Sequence, residues 1–304
     1  MLLLCTRYFC SMKQWMFIVA AAVVFSSCEK GITFNLNTTA ASVVVEATIE
    51  NDKAPVVILS SSFDYFSKIS PDILANSFIH GAVIRMSNGI VTHQLKEYSF
   101  SPSADIKVYY YSIDSSNLAT AFTGAFNTAY SMDIQVSGKT LHAVTTIPLL
   151  AKKLDSLWWK PAPNNPDTSL VVLVSKATDP PGLGNYIRYF TRTNSDNFYP
   201  GLNSVFDDNI VDGKTYSLDV ERGVDRNQKL DLENYSFFHR GDTITVKFCN
   251  IDKATYDFWR TMEYSYGSIG NPFASPTKVL GNVPGALGYF GGYAVQYKSI
   301  IVPK

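Results

Sequence analysis

The sequence predicts an all-β protein, and three observations lead to this class. Short runs of β-branched and aromatic residues recur along most of the chain, and Gly, Asn, Asp and Pro separate them. Tyrosine (18) and phenylalanine (19) are abundant, whereas charged residues make up only 17% of the chain. One segment, residues 252–266, places its apolar side chains at helical spacing. We therefore expect antiparallel β structure that carries one helix.

The first 28 residues have the pattern of an export signal, with Met12 as the expected start of translation. Lys13 supplies the positive charge, and the apolar run Trp15–Phe25 is too short for a membrane span, which needs about 20 residues. Cleavage directly before a cysteine is typical of bacterial lipoproteins, so we predict lipidation of Cys28. An ordinary signal peptide, cleaved near Ser26 and leaving Cys28 as a free thiol, stays open as an alternative.

The polar residues 29–41 are predicted to form a flexible tether, and residues 42–148 a first domain. Short antiparallel strands joined by turns such as Asn88-Gly89 and Gly138-Lys139 favour an immunoglobulin-like or transthyretin-like β-sandwich. The predicted strands are 43–49, 56–59, 82–86, 90–93, 106–110, 132–136 and 141–145.

Residues 149–304 are predicted to form a second antiparallel β domain. Strand 170–174 is expected to pair with strand 186–190 across the turn at Asp179–Gly184. Asp252 stands in N-cap position before the helix, whose aromatic face docks on a sheet. The remaining predicted strands are 216–220, 243–248 and 293–297.

Charge and cysteine content argue against a nucleic-acid partner and against an internal disulfide. Lys and Arg (26) balance Asp and Glu (26), so we expect no nucleic-acid partner. Beyond Cys28 the mature chain has one cysteine, Cys249, and two unmodified thiols are therefore not available for an internal disulfide. Cys249 lies in a strand-like run and is expected to be a buried apolar residue.

One acidic segment offers the hard oxygen ligands that calcium takes. Asp207, Asp208 and Asp212 lie within a few residues of one another and predict a Ca²⁺ site. The spacing does not follow an EF-hand loop, and the same residues also fit a solvated turn in which Asp caps backbone amides. No other cofactor is expected.

Two aromatic pairs are candidates for contact with a ligand or a partner protein. Trp158 and Trp159 lie in a Pro-rich segment that is expected to be a loop, and Tyr289 and Phe290 lie among glycines near the C-terminus. The alternative is that the tryptophans fill an interface between the two β domains.

No catalytic residue is predicted. The chain has no Gly-x-Ser-x-Gly elbow and no zinc-binding spacing, and its histidines occur singly, at His80, His93, His142 and His239.

Segments from most of the mature chain carry a resemblance to a known family. They are Val43–Ala47, Asn185–Arg188, Phe206–Asp208, Asp212–Tyr216, Asp252–Trp259, Asn271-Pro272-Phe273 and Gly285–Phe290. With these segments the chain resembles a family of Bacteroidetes outer-membrane lipoproteins known as a domain of unknown function, DUF4249. The resemblance implies an all-β lipoprotein, often encoded beside a TonB-dependent receptor, and it carries over no catalytic residues.

Together these observations predict a lipid-anchored accessory protein of the outer membrane that is not an enzyme. Its expected role is to bind a ligand or a TonB-dependent transporter in nutrient uptake, with the membrane contacted through the lipid at Cys28. A surface-anchored hydrolase of glycan or peptide, and a structural or adhesive envelope protein, are the alternatives. The sequence leaves open which face of the outer membrane the protein occupies.

Overall fold

The computed structural model describes residues 41–63, 71–103, 106–269, 271, 273–275 and 277–304. The predicted leader, Cys28 and nearly all of the tether lie outside these residues. Two α-helices, α1 (Pro71–Ala75) and α2 (Lys253–Ser268), and one 3₁₀ turn (Leu118–Thr120) occur in the described part. The strands are β1 (Val43–Glu50), β2 (Val56–Ser61), β3 (Val83–Ser87), β4 (Thr92–Gln94), β5 (Lys96–Ser103), β6 (Ile106–Ser112), β7 (Thr128–Val136), β8 (Lys139–Ile147), β9 (Lys153–Pro161), β10 (Leu170–Thr178), β11 (Tyr186–Thr193), β12 (Tyr199–Phe206), β13 (Thr215–Val220), β14 (Phe238–His239), β15 (Thr243–Ile251) and β16 (Leu287–Ile301).

The all-β class is confirmed, and each predicted strand coincides with an observed one. The predicted helix is α2, and the Asp252 carboxylate accepts the Thr255 backbone N–H at 2.8 Å, as an N-cap does. The second oxygen of Asp252 accepts the Thr146 N–H at 3.2 Å, so the same side chain also ties the helix to β8.

Eight strands form the largest sheet, in the order β12-β11-β15-β16-β1-β2-β6-β5. Its central pair, β1 and β16, is parallel and joins the first described strand to the last, from Val44 opposite Leu287 to Glu50 opposite Tyr293. Strands from both sides of residue 148 share this sheet, and Ala41–Lys304 forms one compact unit. The division into two domains, residues 42–148 and 149–304, stays a prediction.

Two four-stranded sheets pack on one face of the large sheet. The hairpins predicted around Asn88 and Gly138 are confirmed in the sheet β4-β3-β7-β8. The expected pairing of 170–174 with 186–190 is wrong: β10 pairs with β9, β13 and β14, whereas β11 pairs with β12 and β15. The Asp179–Gly184 turn carries the chain from one sheet to the facing one, so it is not a hairpin turn.

Alternation along the strands sorts the side chains of the large sheet between its two faces. Ala47 of β1 and Phe290 of β16 are buried against the β3-β7-β8 sheet, and Val246 of β15 is buried against β10. On the opposite face, α2 covers β16 and β11 through Tyr256 and Phe258. The large sheet is thus a central layer with sheets on one side and a helix on the other.

The segment that connects β8 to β9 is fixed to the large sheet by two amide side chains. Asn250 accepts the Lys152 N–H at 2.8 Å and donates to the Lys152 carbonyl at 2.9 Å. Gln296 accepts the Leu154 N–H at 3.1 Å and also donates to the Lys152 carbonyl. These amides satisfy buried backbone groups of Lys152 and of the start of β9, as buried polar groups require.

Gly292 tests how closely the sheets approach each other. A Cβ at this position would lie 2.4 Å from the Thr146 carbonyl oxygen of β8, so we expect Gly292→Ala to lower the free energy of unfolding by about 3 kcal/mol in urea titrations. The control is Gly267→Ala in α2, where nothing lies within 4 Å. Alanine there should raise stability by up to about 1 kcal/mol. Equal effects of the two substitutions would contradict the close approach.

Candidate functional site

A concave pocket of about 360 Å³ opens on the helix-covered face of the large sheet. This volume lies within the range of ligand-binding pockets, roughly 300–1,000 Å³. Four neighbouring strands, β11, β15, β16 and β1, supply alternate side chains to it, and α2 supplies one wall. We call it the sheet-face pocket. Its charged side chains are Glu46, Glu50, Arg188, Arg226, Lys247 and Glu263, its aromatic side chains are Phe190, Trp259, Tyr266, Tyr289 and Tyr293, and Thr48 and Pro200 complete it.

Arg188 is the fixed centre of the sheet-face pocket. Its guanidinium carbon lies 3.4 Å from the Trp259 ring centroid and 4.7 Å from that of Phe190, so the cation stacks on two aromatic rings. Its Nε donates to the Ser204 hydroxyl at 3.2 Å. The side chain is only 4% exposed, and these contacts fix its position in advance of any ligand.

Two of the three carboxylates of the pocket, Glu50 and Glu263, are bound by other side chains or backbone groups of the protein. Glu50 forms ion pairs with Lys247 and Lys53. Burial alone would raise the pKa of Glu50, but the two lysines hold it below its ordinary value. Glu263 accepts the Ser204 hydroxyl at 2.5 Å and the Ser204 N–H at 3.0 Å, yet burial keeps the pKa of Glu263 above its ordinary value.

Glu46 differs from these groups because its carboxylate accepts no hydrogen bond from any described residue. The side chain is exposed at the pocket mouth, opposite Tyr289 on the neighbouring strand. Loss of hydration among the surrounding atoms raises the pKa of Glu46, although the Arg188 charge acts in the other direction. A desolvated acceptor that lacks a hydrogen-bond donor among the described residues is a group that a ligand can satisfy.

The aromatic residues that are predicted to contact a ligand or a partner lie in different parts of the structure. Tyr289 lines the sheet-face pocket and stacks on Phe258 at 4.4 Å, whereas Phe290 points to the other face and is fully buried in the core. The loop predicted around Trp158 and Trp159 is wrong, because both lie on β9. β9 is an edge strand, and Pro161 at its end is tolerated there. Trp159 packs against the core between β10 and β15, while Trp158 is 40% exposed.

Two of the three carboxylates of the acidic segment, Asp208 and Asp212, meet Asp179 from the 179–184 turn. Oxygens of Asp179, Asp208 and Asp212 lie within 4.8 Å of one another, while Asp207 accepts the Tyr256 hydroxyl at 2.9 Å. The buried Lys152 ammonium lies 3.0 Å from Asp179 and supplies positive charge to this group.

Asp208 also accepts backbone N–H groups of the 179–185 turn. It receives the Asn185 N–H at 2.9 Å and the Gly184 N–H at 3.2 Å. Burial would raise the pKa of Asp208, but these N–H groups lower it. Calcium at Asp207, Asp208 and Asp212 stays a prediction.

The histidine side chains and the Cys249 thiol are the remaining groups that could serve catalysis. His142 contacts Asp133 at 2.7 Å and His80 contacts Glu97 at 2.5 Å, but within the described ranges no Ser, Thr or Cys is hydrogen-bonded to either histidine. The buried His93 bonds the Thr120 hydroxyl and accepts the Asp114 N–H, which is a structural role. Cys249 is confirmed as a buried residue, and burial raises the pKa of its thiol to about 12.

The fold and the pocket define an all-β protein with a preformed concave site. The family model described as a domain of unknown function (DUF4249) matches residues 29–299, so the chain belongs to this family. No curated protein matches the chain. Within the part of the chain that the structure describes, no helix is long and apolar enough to cross a membrane.

Four of the segments that resemble the family meet at the sheet-face pocket. They contribute Glu46 from β1, Arg188 from β11, Trp259 from α2 and Tyr289 from β16. The sequence singled out only Tyr289 as a contact residue. The other three are ordinary members of a strand or helix pattern, and only the pairing of distant strands brings them together.

The raised pKa of Glu46 gives a stability prediction with a definite sign. Below the ordinary value of 4.5 the group is protonated in both states, whereas above its folded pKa the ionised form costs the folded state hydration. We expect Glu46→Gln to raise the Tm near pH 7 and to leave it unchanged well below pH 4.5. The control is Glu233→Gln on an exposed turn, which should change neither value. A Tm lowered near pH 7 by Glu46→Gln would contradict the desolvation of this carboxylate.

Proposed function

We propose that this protein is a lipid-anchored accessory protein of the outer membrane, without enzymatic activity, that binds a ligand or a TonB-dependent transporter in nutrient uptake. The sheet-face pocket is the proposed ligand site. The observation that carries the proposal is the combination of preset aromatic and cationic walls with the free Glu46 carboxylate. A preorganised pocket of this kind loses little entropy when it binds a ligand.

The chemistry of the pocket narrows the class of ligand. Trp259, Tyr289 and Tyr293 offer apolar ring surface, and Glu46 offers an acceptor that lacks a donor among the described residues. The cations Arg188, Arg226 and Lys247 are already paired with rings or with Glu50. We therefore propose an uncharged or cationic ligand that has an apolar face and donates an N–H or O–H to Glu46.

The envelope location rests on the leader and not on the folded body. The apolar run before Cys28 and the small residues around the expected cleavage site support export and acylation. The family match begins at residue 29, directly after the proposed lipid-bearing cysteine. A single acyl chain binds a membrane only marginally, so stable anchoring needs more than one.

Location and partnership are tested in one purification. The full chain with an affinity tag at its C-terminus is expressed in its native cells, with Cys28→Ser as the matched control that cannot be acylated. We expect the wild-type chain in the outer-membrane fraction, and a TonB-dependent transporter that co-purifies with it in mild detergent. The Cys28→Ser chain should leave the membrane fraction. Identical fractionation of the two chains would contradict the anchor, and purification free of any transporter would contradict the partnership.

A hydrolase is the second candidate, because two carboxyl groups of the sheet-face pocket, Glu46 and Glu263, have a pKa raised by loss of hydration. A raised pKa suits a general acid in glycoside hydrolysis. We expect the wild-type chain to release no product from a panel of glycan and peptide polymers. Turnover that is lost in Glu46→Gln or Glu263→Gln, but retained in Glu233→Gln, would replace the binding proposal with the enzymatic one.

A further inference from the structure

A second cavity, of about 400 Å³, lies between the large sheet and the sheet built on β10. It is on the opposite face of the large sheet from the sheet-face pocket. Ser175 and Ala177 of β10 form one wall, with Tyr216 and Leu218 of β13 beside them, and β11 and β15 form the facing wall. We call this space the inter-sheet cavity.

The cavity exists because β10 presents small side chains where its neighbours present large ones. Ala177 stands between Leu154 of β9 and Tyr216 of β13, and Ser175 stands beside Leu218. Packed sheets are separated by about 10 Å, a distance that larger side chains normally fill. Two successive small residues on one face of β10 therefore leave room between the layers.

The mouth of the inter-sheet cavity is apolar and faces solvent. Phe206 is 39% exposed, Leu218 49% and Ile210 84%, and all three line the cavity. Large apolar side chains that cluster at the opening of an apolar cavity mark a site of interaction. Their exposure costs free energy that an apolar ligand would recover.

Two hydroxyl groups of the wall already donate hydrogen bonds within the protein. The Ser175 hydroxyl donates to the Leu218 carbonyl at 3.2 Å, and the Tyr256 hydroxyl donates to Asp207 at 2.9 Å. Among the described residues that line the cavity there is no Lys or Arg, whereas Asp207 and Asp219 are present. Asp219 is paired with Lys160 at 2.9 Å, so Asp207 sets the sign of the charge met by a ligand.

We propose that the inter-sheet cavity binds the apolar chain of an amphiphile whose polar end is uncharged or cationic. The chain enters between Leu218 and Phe206 and lies over Ala177, and the polar end stays near Asp207 at the mouth. An anionic end is disfavoured by repulsion from this carboxylate, and no cationic side chain among the described lining residues compensates it. The site depends neither on the lipid at Cys28 nor on the sheet-face pocket.

Three amphiphiles of equal chain length test the proposal. The full chain with Cys28→Ser, handled without detergent, is loaded with the fluorescent probe 1-aminoanthracene, and dodecanol, dodecylamine and dodecanoate compete below their micelle concentrations. We expect dodecanol and dodecylamine to displace the probe, and dodecanoate to require about tenfold higher concentration. In Asp207→Asn, whose amide oxygen can still accept from Tyr256, this disadvantage of dodecanoate should disappear.

Substitutions at the wall identify the cavity as the binding site. Ala177→Phe fills the space and should abolish displaceable fluorescence without lowering the Tm, whereas Val144→Phe, on the exposed face of β8, should leave binding unchanged. If Ala177→Phe does not fold, Leu218→Asp at the exposed mouth tests the same site. This substitution should weaken dodecanol binding about tenfold. Binding that survives in the folded Ala177→Phe chain or in Leu218→Asp overturns the site. Equal competition by dodecanoate and dodecanol in the parent chain overturns the assigned ligand class.

Discussion

The parallel pairing of β1 with β16 is the constraint on which the rest of the structure depends. It places the first described strand beside the last, and it sets Glu46 opposite Tyr289 and Glu50 opposite Tyr293. The backbones approach closely enough that a Cβ at Gly288 would lie 1.9 Å from the Val45 carbonyl oxygen, and Gly288 has φ +98°. Only glycine meets both conditions, so this position is fixed by steric contact and by backbone conformation.

The same pairing places different kinds of side chain on the two faces of the large sheet. Alternation places Ala47 and Phe290 in the core, under the β4-β3-β7-β8 sheet, and places Glu46 and Tyr289 on the helix side. The core side is continuous with the link at Lys152, which Asn250 and Gln296 hold against the large sheet. The helix side holds charged and aromatic groups whose desolvation costs stability, a pattern found where a protein binds rather than where it only packs.

Local sequence patterns predict the strands and the helix well, but they predict poorly which strands pair in one sheet. β-Branched runs identified most strands, and Asp252 with the aromatic spacing behind it identified α2, because these signals lie within a few residues of each other. β9 was missed because Trp158-Trp159 before a Pro-rich segment resembles a loop. The partner of β10 was wrong because a turn that crosses between sheets has the composition of a hairpin turn. At the site, Tyr289 was predicted, whereas Glu46 and Arg188 could not be, since their role arises from non-local pairing.

Lipid attachment and ligand capture can both be observed by native mass spectrometry of the protein purified from its own cell envelope. We expect a chain that begins at Cys28 and carries covalently bound acyl groups. We also expect a non-covalent small molecule, which is released on gentle activation and is missing from Glu46→Gln. A bare polypeptide that begins at another residue, with no bound molecule, would contradict both the anchor and the role of the sheet-face pocket.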